Sequence, residues 1–596
     1  MLDLRLSFPL ALLLALVAGG LSALGFAPWS LFPLALAGIA LLFWLTDSAA
    51  STGRAALVGW LFGVGHFTIG LAWIAKAFTF QAKMPPALGW VAVVGLSMFL
   101  ALYIALAAGL ARAFARDGLA RVLALAAAWM LAEWLRGWVL SGFAWNPLGA
   151  IWVDVPGIRQ LAQFGGALSL SGISVLLGGC LWLAMRPKRG TGDRLAGLAL
   201  ILVLVIAGIA GRSLNRDHYY PDNPLVFVVQ PNIGQDVRYV ESQEALHFQT
   251  YLDMTAGALA DARQGENALA RQGTKIQGTN IQGTNIQGTI VQDAIDLGTG
   301  AAPAGTPRLS EAIDPATARD PLQSFSGATV DTSRGALIIW PEGAVPYAIE
   351  EDAGARARLA SVLGPNDLLL FGAPAVIRDG SKRVTALTNS LFAIDASGRI
   401  RARYDKAHLV PLGEYVPARG VMEQLGLARL TPGDLDFLPG PGPRTLTLPG
   451  FPAVGAMICY EIVFPGAVTE PGKRPSWIVN ISNDAWFGAS GPPQHLAQAR
   501  LRAIEEGLPI VRATPTGISA IIDGHGNLHA TQAPGSSGVL SANLPPPLPA
   551  TLFARVGHLA SLAFGAVLAL IGLAIERLRR RGAPAARRSA GNLSVR

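Results

Sequence analysis

Apolar residues fall into two textures along the 596-residue chain. In the first third they form long runs, at about 8–27, 30–46, 55–78, 87–111, 119–136, 161–185 and 195–212, and one more follows at about 556–576. A hydrocarbon core about 30 Å thick is crossed by roughly 20 apolar residues of helix, so the pattern predicts eight spanning helices. Arg5 before the first run resembles the start of a signal peptide, but the six runs that follow favour a retained span. Between about 221 and 545 the apolar runs are short, and each is bounded by Gly, Pro, Asn or Asp. LVFVVQPNI (225–233), ALIIW (336–340), DLLLFGAPAV (367–376), NSLFAID (389–395), AVGAMICY (453–460) and SWIVNIS (476–482) read as buried strands. Helical stretches at 244–260, 355–364 and 493–507 separate them. This alternation predicts an α/β domain with a layered sheet.

The organisation is therefore a membrane domain over 1–212, a globular domain over 221–545, an eighth span at 556–576 and a basic tail over 577–596. One tract does not fit. Residues 276–290 repeat IQGTN within a Gly/Ala/Thr/Gln-rich segment, about 263–333. Its composition cannot bury a core, so a disordered surface insertion is expected, with a functional flap as the alternative.

Composition supports the division. Hydrophobic residues make up 51% and charged residues 14%, against about a quarter charged in an ordinary soluble protein. The formal charge of +8 is concentrated at helix ends: Arg54, then Arg112, Arg116 and Arg121, then Arg186, Lys188, Arg189 and Arg194. The tail adds Arg577, Arg579, Arg580, Arg581, Arg587 and Arg588, whereas the alternate loops hold few cations, such as Lys76, Lys83 and Arg159. The positive-inside rule then places both termini in the cytoplasm and the globular domain on the opposite side. The charge is thus a topology signal rather than a nucleic-acid patch, for no aromatic-basic motif accompanies it. The tail is placed against anionic headgroups.

The chain has two cysteines, Cys180 within an apolar run and Cys459 at the end of AVGAMICYE. A free thiol outside the cytoplasm has no partner for a disulfide, and its retention suggests that its nucleophilicity is used. A thiol needs a base. Glu342, after Trp340-Pro341, is the candidate. Lys406 is a cation suited to an oxyanion, aided by the Tyr460 backbone N–H. Glu414 either positions Lys406 or shuttles protons, and Glu461 orients the site. Singly, such residues are usually a solvated loop carboxylate, a surface cation and a core thiol. Their significance lies in the company of WPE, KxHLVPxGE and CYE within one domain. No His/Cys/Asp cluster has metal-ligand spacing, so no metal or cofactor is expected.

The order Glu342, Lys406, Cys459 resembles the nitrilase superfamily. With WPE, YDKAHLVPLGEYVP (404–417), ICYE, ISNDAWFG (481–488) and EWLRGWVLSGFAWNPLG (133–149) beside eight predicted spans, it resembles the membrane-integral branch, the apolipoprotein N-acyltransferase family. The resemblance covers most of the chain except the insertion. It implies an α-β-β-α sandwich with Glu342 as base, Lys406 as oxyanion stabiliser and Cys459 as nucleophile, and Glu414, Tyr460 and Glu461 at positions the family needs. Tyr239 stands where the family's loop tryptophan is expected and keeps a flat aromatic. The implied reaction moves an acyl chain from a phospholipid, typically phosphatidylethanolamine, through a Cys459 thioester with ping-pong kinetics. The acceptor is the α-amino group of a diacylglyceryl N-terminal cysteine on an apolipoprotein. The implied setting is a bacterial inner membrane, with a monomer whose catalytic domain is periplasmic.

Asn483, Asp484, Trp486 and Phe487 are expected to shape the pocket beside Cys459, with Asp484 alternatively a helix cap. Glu133 and Arg136 read as an interfacial ion pair, with Trp134, Trp138 and Trp145 as interfacial anchors. His66 reads as a polar packing contact, with a proton relay as the alternative, and His408 either as a turn-stabilising hydrogen bond or as part of the chemistry. A hydrolase passing the acyl group to water and a transporter with an outer binding module are the rival classes. The spans show no paired repeats or polar midplane cluster to favour the transporter.

Overall fold

The computed structural model describes residues 7–80, 85–116, 118–185, 191–212, 220, 222–238, 241–272, 335–417, 419–420 and 436–582. Long helices occupy the apolar stretches: α1 (Phe8–Ala23), α2 (Phe32–Asp47), α3 (Thr52–Gly70), α4 (Ala87–Phe114), α5 (Gly118–Arg136), α6 (Ala162–Ala184) and α7 (Thr191–Arg212). Among the described residues, α4, α5, α6 and the C-terminal helix over His558–Arg581 are each long and apolar enough to cross a membrane. The stretch expected as one span over 55–78 is broken. After α3 the chain turns by 53° into a second short helical piece, Ile74–Phe80. α1 and α2 have 16 residues each, about 24 Å at 1.5 Å per residue, shorter than a hydrocarbon core. α1 packs on α3 and α3 on α4 through glycines. A Cβ on Gly19 would lie 1.9 Å from the Phe62 carbonyl oxygen, and one on Gly65 would lie 2.0 Å from that of Leu16.

The globular part is built from two six-stranded sheets. One has the order β12-β1-β2-β3-β4-β5, made of β1 (Leu225–Gln230), β2 (Ala336–Ile339), β3 (Leu368–Arg378), β4 (Val384–Asp395), β5 (Ile400–Asp405) and β12 (Gly538–Asn543). The other has the order β11-β10-β9-β8-β7-β6, made of β6 (Arg444–Leu448), β7 (Phe451–Ile458), β8 (Trp477–Ile481), β9 (Ile510–Ala513), β10 (Ser519–Ile522) and β11 (Leu528–Gln532). In each sheet three central strands run parallel, β1-β2-β3 and β7-β8-β9, flanked by antiparallel strands. Strand periodicity sends alternate residues to opposite faces. Val226, Val228, Leu337, Ile339, Leu368 and Leu370 of one sheet therefore share a core with Val454, Ala456, Ile458, Val479, Ile481 and Val511 of the other.

The outer faces meet different partners. Phe227, Ile338, Leu369 and Phe371 pack against Phe248, Tyr251 and Leu252 of α8 (Glu241–Gln272) and Leu359 of α9 (Ala353–Ser361). On the other side, Met457, Ile478, Ile510 and Ile522 pack against Leu496, Ala499 and Ile504 of α10 (Gly491–Glu506). That cluster continues without a break into Phe62, Trp129 and Leu170 of the membrane helices. One sheet of the globular domain is thus covered by its own helix and by the membrane domain together.

β5, β6 and β9–β12 lie outside the strands expected from sequence. β9 and β10 have four residues each, too short for a periodic signal, and RARYD in β5 carries its charges at exposed and half-exposed positions on a sheet edge. The tract expected as an insertion over 263–333 begins within α8, which runs to Gln272; residues 273–334 lie outside the described residues.

Candidate active site

The three residues expected to carry chemistry leave strand ends. Glu342 follows β2 and Trp340-Pro341, and it fits because Gly372 on neighbouring β3 has no side chain: a Cβ there would lie 2.7 Å from Glu342 Cα. Lys406 follows β5, with its N–H donating to Asn389 O at 2.8 Å and its carbonyl accepting from Gly440 at 2.7 Å. Cys459 directly follows β7 and opens a short 3₁₀ turn, Cys459–Val463. Its φ is +51°, a left-handed conformation that non-glycine residues hold only when their surroundings enforce it.

The polar groups converge. Lys406 Nζ lies 3.0 Å from Glu414 Oε1 and 3.5 Å from Glu342 Oε1. Lys406 is 1% exposed, so this cation is removed from water and held by two carboxylates. Burial alone would lower its pKa, but Glu414 and then Glu342 outweigh that and raise it, keeping the amine charged. The second oxygen of Glu342 accepts from Asn483 N–H at 2.7 Å, and that of Glu414 from Val410 N–H at 2.8 Å. Burial pushes the Cys459 thiol up to about 12, and the Glu342 carboxylate adds to this. Lys406 and a hydrogen bond with the Ser482 side chain pull the other way. Cys459 is therefore a neutral thiol at rest, with the Glu342 carboxylate among the charges that hold it so.

Glu461 is a structural hub. Its Oε1 accepts from Tyr404 Oη and Ala407 N–H, both at 2.7 Å, and from His408 N–H at 3.1 Å, while Oε2 accepts from Ile458 N–H at 2.7 Å. It thereby joins the Lys406 loop to the strand that presents Cys459. Tyr460 points towards the membrane domain, with Oη 3.5 Å from Gly142 O and its ring 6.4 Å from that of Phe143. The His408 ring stacks on Phe464 at 3.9 Å.

Of the four expected pocket residues, Asn483 is the helix cap, its side chain accepting from Ala485 N–H at 3.2 Å. Asp484 instead joins a buried ion cluster, accepting from Arg512 at 2.6 Å and Ser482 Oγ at 2.8 Å. Burial would raise its pKa, yet Arg512 and His495 hold it well below the carboxylate range. Phe487 lies 4.4 Å from Trp73 and 5.5 Å from Trp145, and Trp486 packs edge-on against Phe80. Tyr239 lies outside the described residues.

Two sequence expectations in the membrane domain change. Glu133 and Arg136 do not pair with one another. Glu133 accepts from Trp129 Nε1 at 3.0 Å and Leu148 N–H at 2.8 Å, whereas Arg136 donates to Trp145 O at 2.7 Å. Orphan backbone groups in the loop after α5 compete successfully for both charges. Trp145 is fully buried and donates to Gln494 Oε1 at 2.9 Å, so it seals the two domains together rather than anchoring at an interface. His66 bonds Ser22 Oγ at 2.6 Å, consistent with polar packing.

Comparison with known proteins agrees with this architecture. Residues 18–180 match the apolipoprotein N-acyltransferase N-terminal domain, and residues 322–549 match the carbon-nitrogen hydrolase domain. Over 580 residues the chain is 34% identical to the apolipoprotein N-acyltransferase of Rhodopseudomonas palustris, covering 95% of each. It is 35% identical to that of Bradyrhizobium diazoefficiens, covering 94% of each, and 30% identical to that of Rhizobium etli, covering 89% of each. The chain belongs to the apolipoprotein N-acyltransferase family. Its carbon-nitrogen hydrolase region contains Glu342, Lys406 and Cys459 together, and its N-terminal match contains the Trp145 loop that seals onto α10.

Several residues of this family member escaped the sequence reading. Asn389 Nδ2 lies 2.7 Å from both Glu342 Oε1 and Glu414 Oε1, one amide bridging two carboxylates. Its signal was a polar residue at the start of the apolar run NSLFAID. His495, Arg512 and Gln494 are buried polar side chains in helical or strand segments. They become conspicuous only when burial is known.

Proposed function

We propose that the protein transfers an acyl chain from a phospholipid to the N-terminal α-amino group of diacylglyceryl-modified apolipoproteins, through a thioester on Cys459. The observation that carries this reading is the buried group of Glu342, Lys406 and Glu414, bridged by half-buried Asn389, beside Cys459. It stands on a domain whose apolar core continues into the membrane helices.

Glu342 takes the thiol proton as sulfur attacks the ester carbonyl of the donor, for which phosphatidylethanolamine is the proposed lipid. Lys406 stabilises the oxyanion that forms, helped by the Tyr460 backbone N–H. The C–O bond breaks, the lysophospholipid oxygen takes the proton back from Glu342, and the acyl group stays on sulfur. The acceptor amine then attacks the thioester, the C–S bond breaks, and the departing thiolate regains a proton from the new amide nitrogen through Glu342. Two half-reactions at one site predict ping-pong kinetics. A fatty acyl chain buries at about 0.8 kcal/mol per CH₂, so moving one through water is prohibitive and a site open to the outer leaflet avoids that.

The membrane domain over 1–212 and the helix over 556–576 are read as eight spans, with the catalytic domain over 221–545 periplasmic, both termini cytoplasmic and the chain acting as a monomer in the inner membrane. Intact-mass analysis after brief exposure to phosphatidylethanolamine tests the central step. An acyl adduct localised to Cys459, absent in Cys459→Ala and discharged by a diacylated lipopeptide, is expected. Free fatty acid as the only product would instead indicate a hydrolase.

A further inference from the structure

The Cys459 main chain is held in a left-handed conformation, φ +51°, and the His495 side chain is placed to hold its carbonyl. His495, on α10, is fully buried. Its Nε2 lies 3.2 Å from the Cys459 carbonyl oxygen and its Nδ1 lies 3.0 Å from Asp484 Oδ1. Arg512 also approaches Nδ1, at 3.0 Å, while donating to Asp484 at 2.6 Å. Two ring states satisfy the Cys459 carbonyl, and both carry the Nε2 proton. A neutral ring accepts from Arg512 at Nδ1 and donates from Nε2, while a cationic ring donates from both nitrogens. The remaining tautomer would aim a lone pair at the Cys459 carbonyl. Burial and the neighbouring Arg512 lower the His495 pKa, which favours the neutral state.

We propose that His495 is a positioning residue, whose Nε2–H holds the Cys459 carbonyl and so sets the direction in which the sulfur is presented. This rests on Cys459 being the nucleophile. The same helix turn is tied to the membrane domain: Gln494 Oε1 accepts from Trp145 Nε1 and Asn146 Nδ2, both at 2.9 Å. The His495 ring also lies against Trp145, with centroids 5.1 Å apart. α10 therefore connects the nucleophile's backbone to the loop after α5, so the seating of the two domains and the aim of the thiol share one element.

Two side chains separate the ring's functions. Gln places an amide where Nε2 stands, facing Cys459; Asn places one where Nδ1 stands, facing Asp484. The full-length enzyme in phosphatidylethanolamine nanodiscs is assayed for the rate of Cys459 acyl-adduct formation. H495Q is expected within about threefold of the native rate, and H495N slower by between about 10- and 100-fold, the scale of a misplaced reacting group. The donor KM should stay within about twofold in both. Asn also leaves space that Gln fills, so H495L, which fills it without a donor, should be as slow as H495N; equal rates in H495Q and H495N, or an H495L rate near native, would overturn the proposal. An H495N variant with raised KM and unchanged rate would also overturn it. If the native enzyme itself forms no adduct on Cys459, the nucleophile assignment fails instead, and the two failures are told apart by that control.

Discussion

Glu342 is assigned two opposing effects on Cys459, which makes Glu342→Gln informative. In the resting site the carboxylate disfavours a second negative charge, adding to the burial that pushes the thiol up to about 12. At pH 8 a thiol of ordinary pKa, about 8.5, is about one-quarter thiolate. At a pKa of about 12 the fraction is about one in ten thousand, a drop of roughly two-thousand-fold. The higher pKa makes the surviving thiolate more nucleophilic, by roughly 25- to 55-fold for a Brønsted coefficient of about 0.4–0.5. Alkylation of Cys459 by iodoacetamide at pH 8 is therefore expected to run at least roughly 40- to 100-fold slower than that of an exposed cysteine, with burial of the thiol slowing it further. Removing the Glu342 charge lowers the thiol pKa. Each unit of decrease raises the thiolate tenfold and returns about threefold in nucleophilicity, a net gain of about three- to fourfold in alkylation rate. Lys406→Met removes the opposing cation and should slow alkylation by a similar factor. Both variants should lose thioester formation, Glu342→Gln because no base takes the proton and Lys406→Met because the oxyanion is unsupported. The assay is peptide-level mass spectrometry of Cys459 after timed alkylation in nanodiscs. Slower alkylation in Glu342→Gln, or faster alkylation in Lys406→Met, would refute the charge balance described for the site.

Asn389→Leu removes the donor shared by Glu342 and Glu414 while keeping similar volume. An acyl-transfer rate about tenfold lower is expected, since stranded buried acceptors cost about 1–3 kcal/mol each, and an unchanged rate in a folded variant would refute the bridging role. Glu506, buried at the end of α10, has its carboxyl raised to about 7 by burial and then by neighbouring Glu505. Its folded pKa exceeds an unfolded value of about 4.3, so its contribution to stability is fully present below that value and is lost as pH rises through about 7. Thermal unfolding should therefore show stability declining between about pH 5 and 8 by about 3 kcal/mol from this group, a slope that Glu506→Gln removes; an unaltered slope would count against the assignment. Replacing residues 273–333 with a short Gly/Ser linker should leave acyl transfer within about twofold, because each doubling of loop length changes closure cost by only about 0.6 kcal/mol. A folded, inactive deletion would show that the tract has a function.

Long and short apolar runs, together with short motifs, determined the apolar helices, six of the twelve strands among the described residues and membership in the family. These signals are local: a membrane-length run, a Val/Ile/Leu strand bounded by turns and a WPE or CYE motif are visible in single windows of sequence. Tertiary structure decided what no window contains. Asn389 looks like an ordinary strand-start polar residue until β4 sets its amide between carboxylates from two other segments. Trp145 and Glu133 lie in a sequence that reads as a membrane interface, yet α10 covers the tryptophan, and loop N–H groups rather than Arg136 claim the carboxylate. His495 sits in a helix whose polar residues suggest solvent, but both faces of that helix are buried, one on a sheet and one on the membrane domain. Burial converts such polar side chains into obligatory hydrogen-bonding partners, and burial depends on elements hundreds of residues apart meeting in space.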